Sequence, residues 1–180
     1  GALRGILIRA AIEKDQGDYP EALRLYEQII EKDRRFTVEV LGPLLECHKK
    51  IGSIKELEKY LEQLLKSEPS LQQDIAYAAV IGNFTEPDII IRCMENFILS
   101  NNLFRSLVDV KAIMSEDPKI RHEHTSRIAD ALRDLSINSA RYLCTNCGYS
   151  SQNFIWHCPS CKNWETVRPL RIFQIDVSMS

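Results

Sequence analysis

Near one end of the 180-residue chain, Cys144 and Cys147 form a C-x2-C pair, and Cys158 and Cys161 form a second pair ten residues further on. A C-x2-C turn is tight enough for both sulfurs to face one ion, and Gly148 suits a backbone that must take a positive φ just after the first pair. Two such knuckles make a tetrahedral four-thiolate site, a donor set that takes zinc or iron. One zinc or iron ion bound by Cys144, Cys147, Cys158 and Cys161 is therefore the expected cofactor. Four protein ligands leave no open coordination position for catalysis, so a structural ion is expected. Disulfides would need an oxidising compartment, which a helical protein with two further cysteines argues against. Those two, Cys47 and Cys93, sit among apolar helical neighbours and read as inert core thiols.

Other residues around the pairs carry weaker signals. His157 adjoins Cys158, but four thiols already complete the tetrahedron, so it reads as a surface residue or a support for the ligands. Arg141, Lys162, Arg168 and Arg171 against Glu165 give 141–173 a local balance of +3, which a four-thiolate centre with a divalent ion, itself −2, would use up. Four basic side chains are few for a nucleic-acid surface, and nucleic acid is not an expected partner; a nucleic-acid-binding ribbon stays an alternative. So does a redox or metal-sensing module, although a ten-residue loop is short for an insulating shell around iron. His122 and His124, two apart on one helix, point to different faces. No phosphate loop, nucleophile triad or H-E-x-x-H motif occurs, and no enzyme activity is expected.

The elements that must position these cysteines are small. Residues 140–173 fall below the roughly 40 at which a domain folds without disulfides, metal or association, so the metal's binding energy would serve as folding energy. Strand-like alternation over 151–156 and 166–173 predicts a small antiparallel ribbon. Trp156, Trp164 and Tyr149 would either form its minimal core or dock it onto the last helices of the preceding domain, closing one end.

Residues 1–139 read as that domain, and the period is legible. Gly17-Asp18-Tyr19-Pro20-Glu21-Ala22 aligns with Gly52-Ser53-Ile54-Lys55-Glu56-Leu57 at an offset of 35, close to the 34 of a tetratricopeptide repeat. After each glycine comes one apolar face: Ala22, Tyr26, Ile29 and Ile30, then Leu57, Leu61, Leu64 and Leu65. Pro69 closes the second copy. A weaker copy carries Asp74, Tyr77, Ala78 and Ile81, then Ile90, Met94, Phe97 and Ile98. A last pair is predicted over 103–114 and 118–137, with Asp117 as N-cap and Pro118 at N1. Stacked hairpins would leave a concave surface for a protein segment. The expected fold is thus mainly α, a tetratricopeptide-like helical hairpin superhelix at 1–139 with a rubredoxin-like or zinc-ribbon β module at 140–173 and a tail at 174–180.

Bulk composition fits this division: 44% hydrophobic residues, a net charge of −2, seven Gly and seven Pro, no low-complexity run and no long apolar stretch. Gly1 to Arg4 enters a helical pattern without a cap, as if the array were cut.

Helical hairpins followed by Arg141-Tyr142, Cys144, Cys147-Gly148-Tyr149, Trp156-His157-Cys158-Pro159-Ser160-Cys161, Trp164 and Arg168-Pro169-Leu170-Arg171 closely resemble the lipopolysaccharide assembly protein B (LapB/YciM) family. The resemblance covers nearly the whole chain and is most specific over Trp156 to Cys161. It implies a non-enzymatic adaptor at the cytoplasmic face of the inner membrane of Gram-negative bacteria, held there by an N-terminal anchor absent from this sequence. It further implies protein partners, the deacetylase LpxC and the membrane protease FtsH, with the adaptor promoting proteolysis of the first by the second. Homo-oligomerisation is left open. By position, Cys144, Cys147, Cys158 and Cys161 match the family's metal ligands. Lys162 departs from the glycine common in rubredoxins proper, and the loop between knuckles is far shorter than theirs.

Overall fold

The structure, a computed structural model, describes residues 2–102, 105, 109–137 and 139–170. The chain runs through α1 (Ala2–Gln16), α2 (Tyr19–Lys32), a 3-10 turn (Arg34–Phe36), α3 (Thr37–Ile51), α4 (Ile54–Ser67), α5 (Leu71–Gly82) and α6 (Asp88–Ser100). A short α7 (Val110–Ile113) and the long α8 (Pro118–Ser136) complete the described helices. None of them is long and apolar enough to cross a membrane.

The predicted repeat faces are buried except at Leu65, Ile81 and Phe97, which are half-buried. Ala22, Ile29, Ile30, Leu57 and Leu61 are fully inaccessible, and Ile90 and Ile98 are so in the third hairpin. One apolar cluster runs from Ala10 on α1 to Leu132 on α8. Within each of the first three hairpins the chain turns at a left-handed residue. Gly17 and Gly52 hold φ of 85° and 70°, and Asn83 fills the corresponding turn after α5 at φ 52°. Asparagine tolerates the left-handed region better than other side chains do, which is why the third copy lacks the glycine signature yet turns in the same way. Arg133 of α8 secures that turn, its Nε donating to Val80 O at 2.7 Å and its Nη2 to Asn83 Oδ1 at 3.0 Å.

The pair expected over 103–114 and 118–137 is described in part. Residues 103, 104 and 106–108 lie outside the described residues, and α7 is what is seen of the first helix. The second begins as expected, with the Asp117 side chain accepting from Lys119 N at 2.9 Å and Pro118 in the first turn.

Beyond α8 lies a three-stranded antiparallel sheet, β1 (Tyr142–Cys144), β2 (Ser150–Ser151) and β3 (Val167–Pro169), in the order β2-β1-β3. Tyr142 pairs with Ser151 on one side and Pro169 on the other, and Cys144 pairs with Val167. The ribbon is present, but its strands differ from the predicted ones. Only Ser151 of the 151–156 stretch is strand; Asn153 N donates to Ser151 Oγ at 3.1 Å, and the resulting turn frees the chain from the ladder. Residues 171–173 lie outside the described residues. The central strand is β1, whose three residues include a metal-ligand candidate and are too few to show a period.

Candidate metal centre

The two knuckles are built alike. In the first, Gly148 N donates to Cys144 O at 3.0 Å and Cys144 N to Tyr149 O at 2.8 Å; in the second, Lys162 N donates to Cys158 O at 3.0 Å and Cys158 N to Asn163 O at 2.9 Å. Closing each loop demands a left-handed residue, Gly148 at φ 77° and Lys162 at φ 62°. The glycine requirement read from the sequence thus holds at the first knuckle, and a lysine meets it at the second.

These loops bring all four predicted ligands together. The Sγ atoms of Cys144, Cys147, Cys158 and Cys161 lie within 4.8 Å of one another, with Cys144 to Cys161 at 3.7 Å and Cys147 to Cys158 at 3.6 Å. Sulfurs about 2.3 Å from a tetrahedral ion sit about 3.8 Å apart, so the cage fits one zinc or iron ion. Cys144 and Cys158 are buried, Cys161 half-buried and Cys147 exposed.

Ligation needs thiolates, and the surroundings supply donors to them. The Thr166 hydroxyl, 3.3 Å from Cys144 Sγ, leads the interactions that bring this thiol down to about 6, joined by the backbone N–H groups of Cys147 and Asn146 against the effect of burial. The Asn146 side chain and the Asn163 N–H hold Cys161 below the ordinary thiol value. Burial pushes Cys158 up to about 11 despite the N–H groups of Cys161 and Ser160. Cys93, in the helices, is likewise pushed up to about 11 by burial, as an inert core thiol should be.

His157 is not with the sulfurs. It is exposed, its Nε2 lies 3.0 Å from Lys162 O, and its ring lies 4.7 Å from that of Trp164. His122 and His124 lie on α8, away from the centre.

The aromatic residues behave differently from either expectation. Trp164 is 61% exposed and Tyr149 37%, so neither forms the module's core, which is Tyr142, Cys144, Cys158 and Val167. Trp156 docks, but not onto the last helices: it stacks on Phe36 of the 3-10 turn, centroids 6.5 Å apart and planes 13° apart. Phe154 meets both edge-on, 5.7 Å from Phe36 and 4.6 Å from Trp156, and packs against both hydrophobic clusters. Such ring pairs each add about 0.5–1.5 kcal/mol beyond area burial.

Polar contacts extend the attachment. Tyr142 Oη donates to Glu39 Oε1 of α3 at 2.7 Å, Arg141 lies beside Tyr77 of α5, and the Arg4 guanidinium of α1 lies 5.4 Å from the Trp164 ring. The module therefore lies across the first helices of three hairpins rather than closing one end. Arg168 Nε donates to Asp33 Oδ2 at 2.9 Å, and both side chains are largely shielded. Burial pushes the Asp33 carboxyl up, but Arg35 and Arg168 more than offset it and hold it below its ordinary value. Arg168 thus serves this ion pair instead of balancing the metal centre, and it is no longer free for a phosphate; Arg171 lies outside the described residues.

Sequence reasoning missed Phe36, Phe154, Asp33 and Glu39 as attachment points. Phe36 alone left a trace, as a large aromatic in a short connection between helices.

Comparison with known proteins points the same way. Residues 142–169 match the family described as a rubredoxin metal binding domain. The chain is similar to a relative in Escherichia coli K12, 24% identical over 160 residues that make up 87% of this chain and 41% of that protein. A Haemophilus influenzae relative is 23% identical over 171 residues, 93% of this chain and 43% of that protein. The chain thus spans about two-fifths of the length of these relatives.

Proposed function

From its similarity to the proteins named lipopolysaccharide assembly protein B, which is the resemblance read from the sequence, we propose that this chain is the metal-bearing part of a non-enzymatic adaptor serving lipopolysaccharide assembly. It acts by bringing LpxC to FtsH at the cytoplasmic face of the inner membrane, so that proteolysis sets the output of the pathway. The observation that carries this reading is the docking of the four-cysteine module on α3 and the turn before it, through Trp156 on Phe36, Tyr142 on Glu39 and Arg168 on Asp33. A closed S4 centre offers no open coordination position, and its binding energy goes into shaping a surface. A helical array with such a fixed attachment is equipped to hold proteins rather than transform small molecules.

The test is made in cells that depend on the whole adaptor. Cys144→Ser with Cys147→Ser should lengthen the LpxC half-life to that seen without the adaptor, with expression adjusted so that variant and unsubstituted adaptor are compared at equal abundance. An unchanged LpxC half-life with the metal demonstrably lost would sink the proposal.

A further inference from the structure

A side-chain hydroxyl reaches the metal cage. Thr166 Oγ1 lies 3.3 Å from Cys144 Sγ, accepting from the thiol and placed to donate to the thiolate once metal has displaced the thiol proton. The Cys144 and Cys161 sulfurs are themselves 3.7 Å apart. Cys147 and Cys158, the opposite pair at 3.6 Å, lie on the other edge of the tetrahedron. The contact crosses the site: Thr166 follows the second knuckle and reaches a ligand of the first.

Thr166 is held for this task by its own backbone. Its carbonyl accepts from Thr145 N at 2.8 Å and from Thr145 Oγ1 at 3.0 Å, and the next residue opens β3, which pairs with β1 beside Cys144. The hydroxyl is thus fixed over the sulfur by contacts that do not involve it. Four thiolates on a divalent ion leave a net −2 in a partly buried site. Donors aimed at the sulfurs withdraw part of that charge, and such outer partners are commonly worth 10–100-fold in metal affinity.

We infer that Thr166 is a positioning residue of the metal centre, which tunes the Cys144 thiolate by a side-chain hydrogen bond and sets how tightly the ion is held.

The test uses the whole chain loaded with Co2+, whose sulfur-to-metal charge-transfer band reports electron density on the thiolates, and Zn2+ affinity measured by competition with a chromophoric chelator. Thr166→Val should move the band to lower energy and weaken Zn2+ binding by about 10- to 100-fold, with the tetrahedral ligand-field bands retained. Thr166→Ser should restore both readouts. A merely structural role would lower stability without moving the band. The inference is overturned if Thr166→Val leaves band and affinity unmoved, or if Thr166→Ser fails to rescue. The inference rests on the four-thiolate centre, and failure of that centre is seen separately, as an unsubstituted chain that takes up no Co2+.

Discussion

At the scale of single residues, the two knuckles pose the same backbone problem and answer it with different side chains. Gly148 meets a positive φ at no steric cost, and a Cβ added there would touch nothing within 4 Å. Lys162 meets it with a Cβ that crowds its own carbonyl, at a cost of about 1–2 kcal/mol. Lys162→Gly is therefore expected to stabilise the metal-loaded chain by about 1 kcal/mol, and Gly148→Ala to destabilise it by a similar amount. Urea midpoints of the two variants, compared at equal metal content, should move in opposite directions; movement in the same direction would show that neighbouring contacts, not φ, govern both sites.

At the scale of elements, the turn between α2 and α3 does more than connect them. Phe36 is fully inaccessible because Phe154 and Trp156 cover it from the module side. Phe36→Ala should cost about 3–5 kcal/mol and uncover Trp156. The measurement is tryptophan emission: Trp164 is already largely exposed, so a shift to the red would come from Trp156, and its absence would mean the module stays docked without the ring. This is also where sequence reading reached its limit. The metal ligands were legible because their spacing is local, and the repeats because glycine and leucine recur at a fixed period. The attachment was not, because Asp33, Phe36 and Glu39 meet partners more than a hundred residues away and carry no periodic mark. Asn83 hid the third turn for a related reason: its left-handed backbone matches Gly17 and Gly52 although its letter does not.

At the scale of the molecule, the two hydrophobic clusters touch through Phe154, so metal occupancy and helix stability are linked. Chelating the ion is expected to abolish the small sheet, which has few residues to hold it otherwise, and to leave the helices folded on their own larger core. Losing about 3 kcal/mol of docking would lower their melting temperature by about 6–12 °C. Thermal melts followed by helical circular dichroism, with and without a chelator, test this directly; superimposable melts would mean that the array does not feel the module.

The covering of Phe36 has a consequence for the order in which the protein is made. Arg168 and Asp33 lie 135 residues apart and Tyr142 and Glu39 103 apart, so translation delivers the helices well before the residues that shield them. At about 5–20 residues per second, a nascent chain carries a bare aromatic turn for roughly ten seconds, folded in its first part and sticky at one spot. A chain that stops early, or that emerges where no metal is to be had, keeps that spot uncovered and so marks itself as unfinished to any chaperone or protease that reads exposed apolar surface.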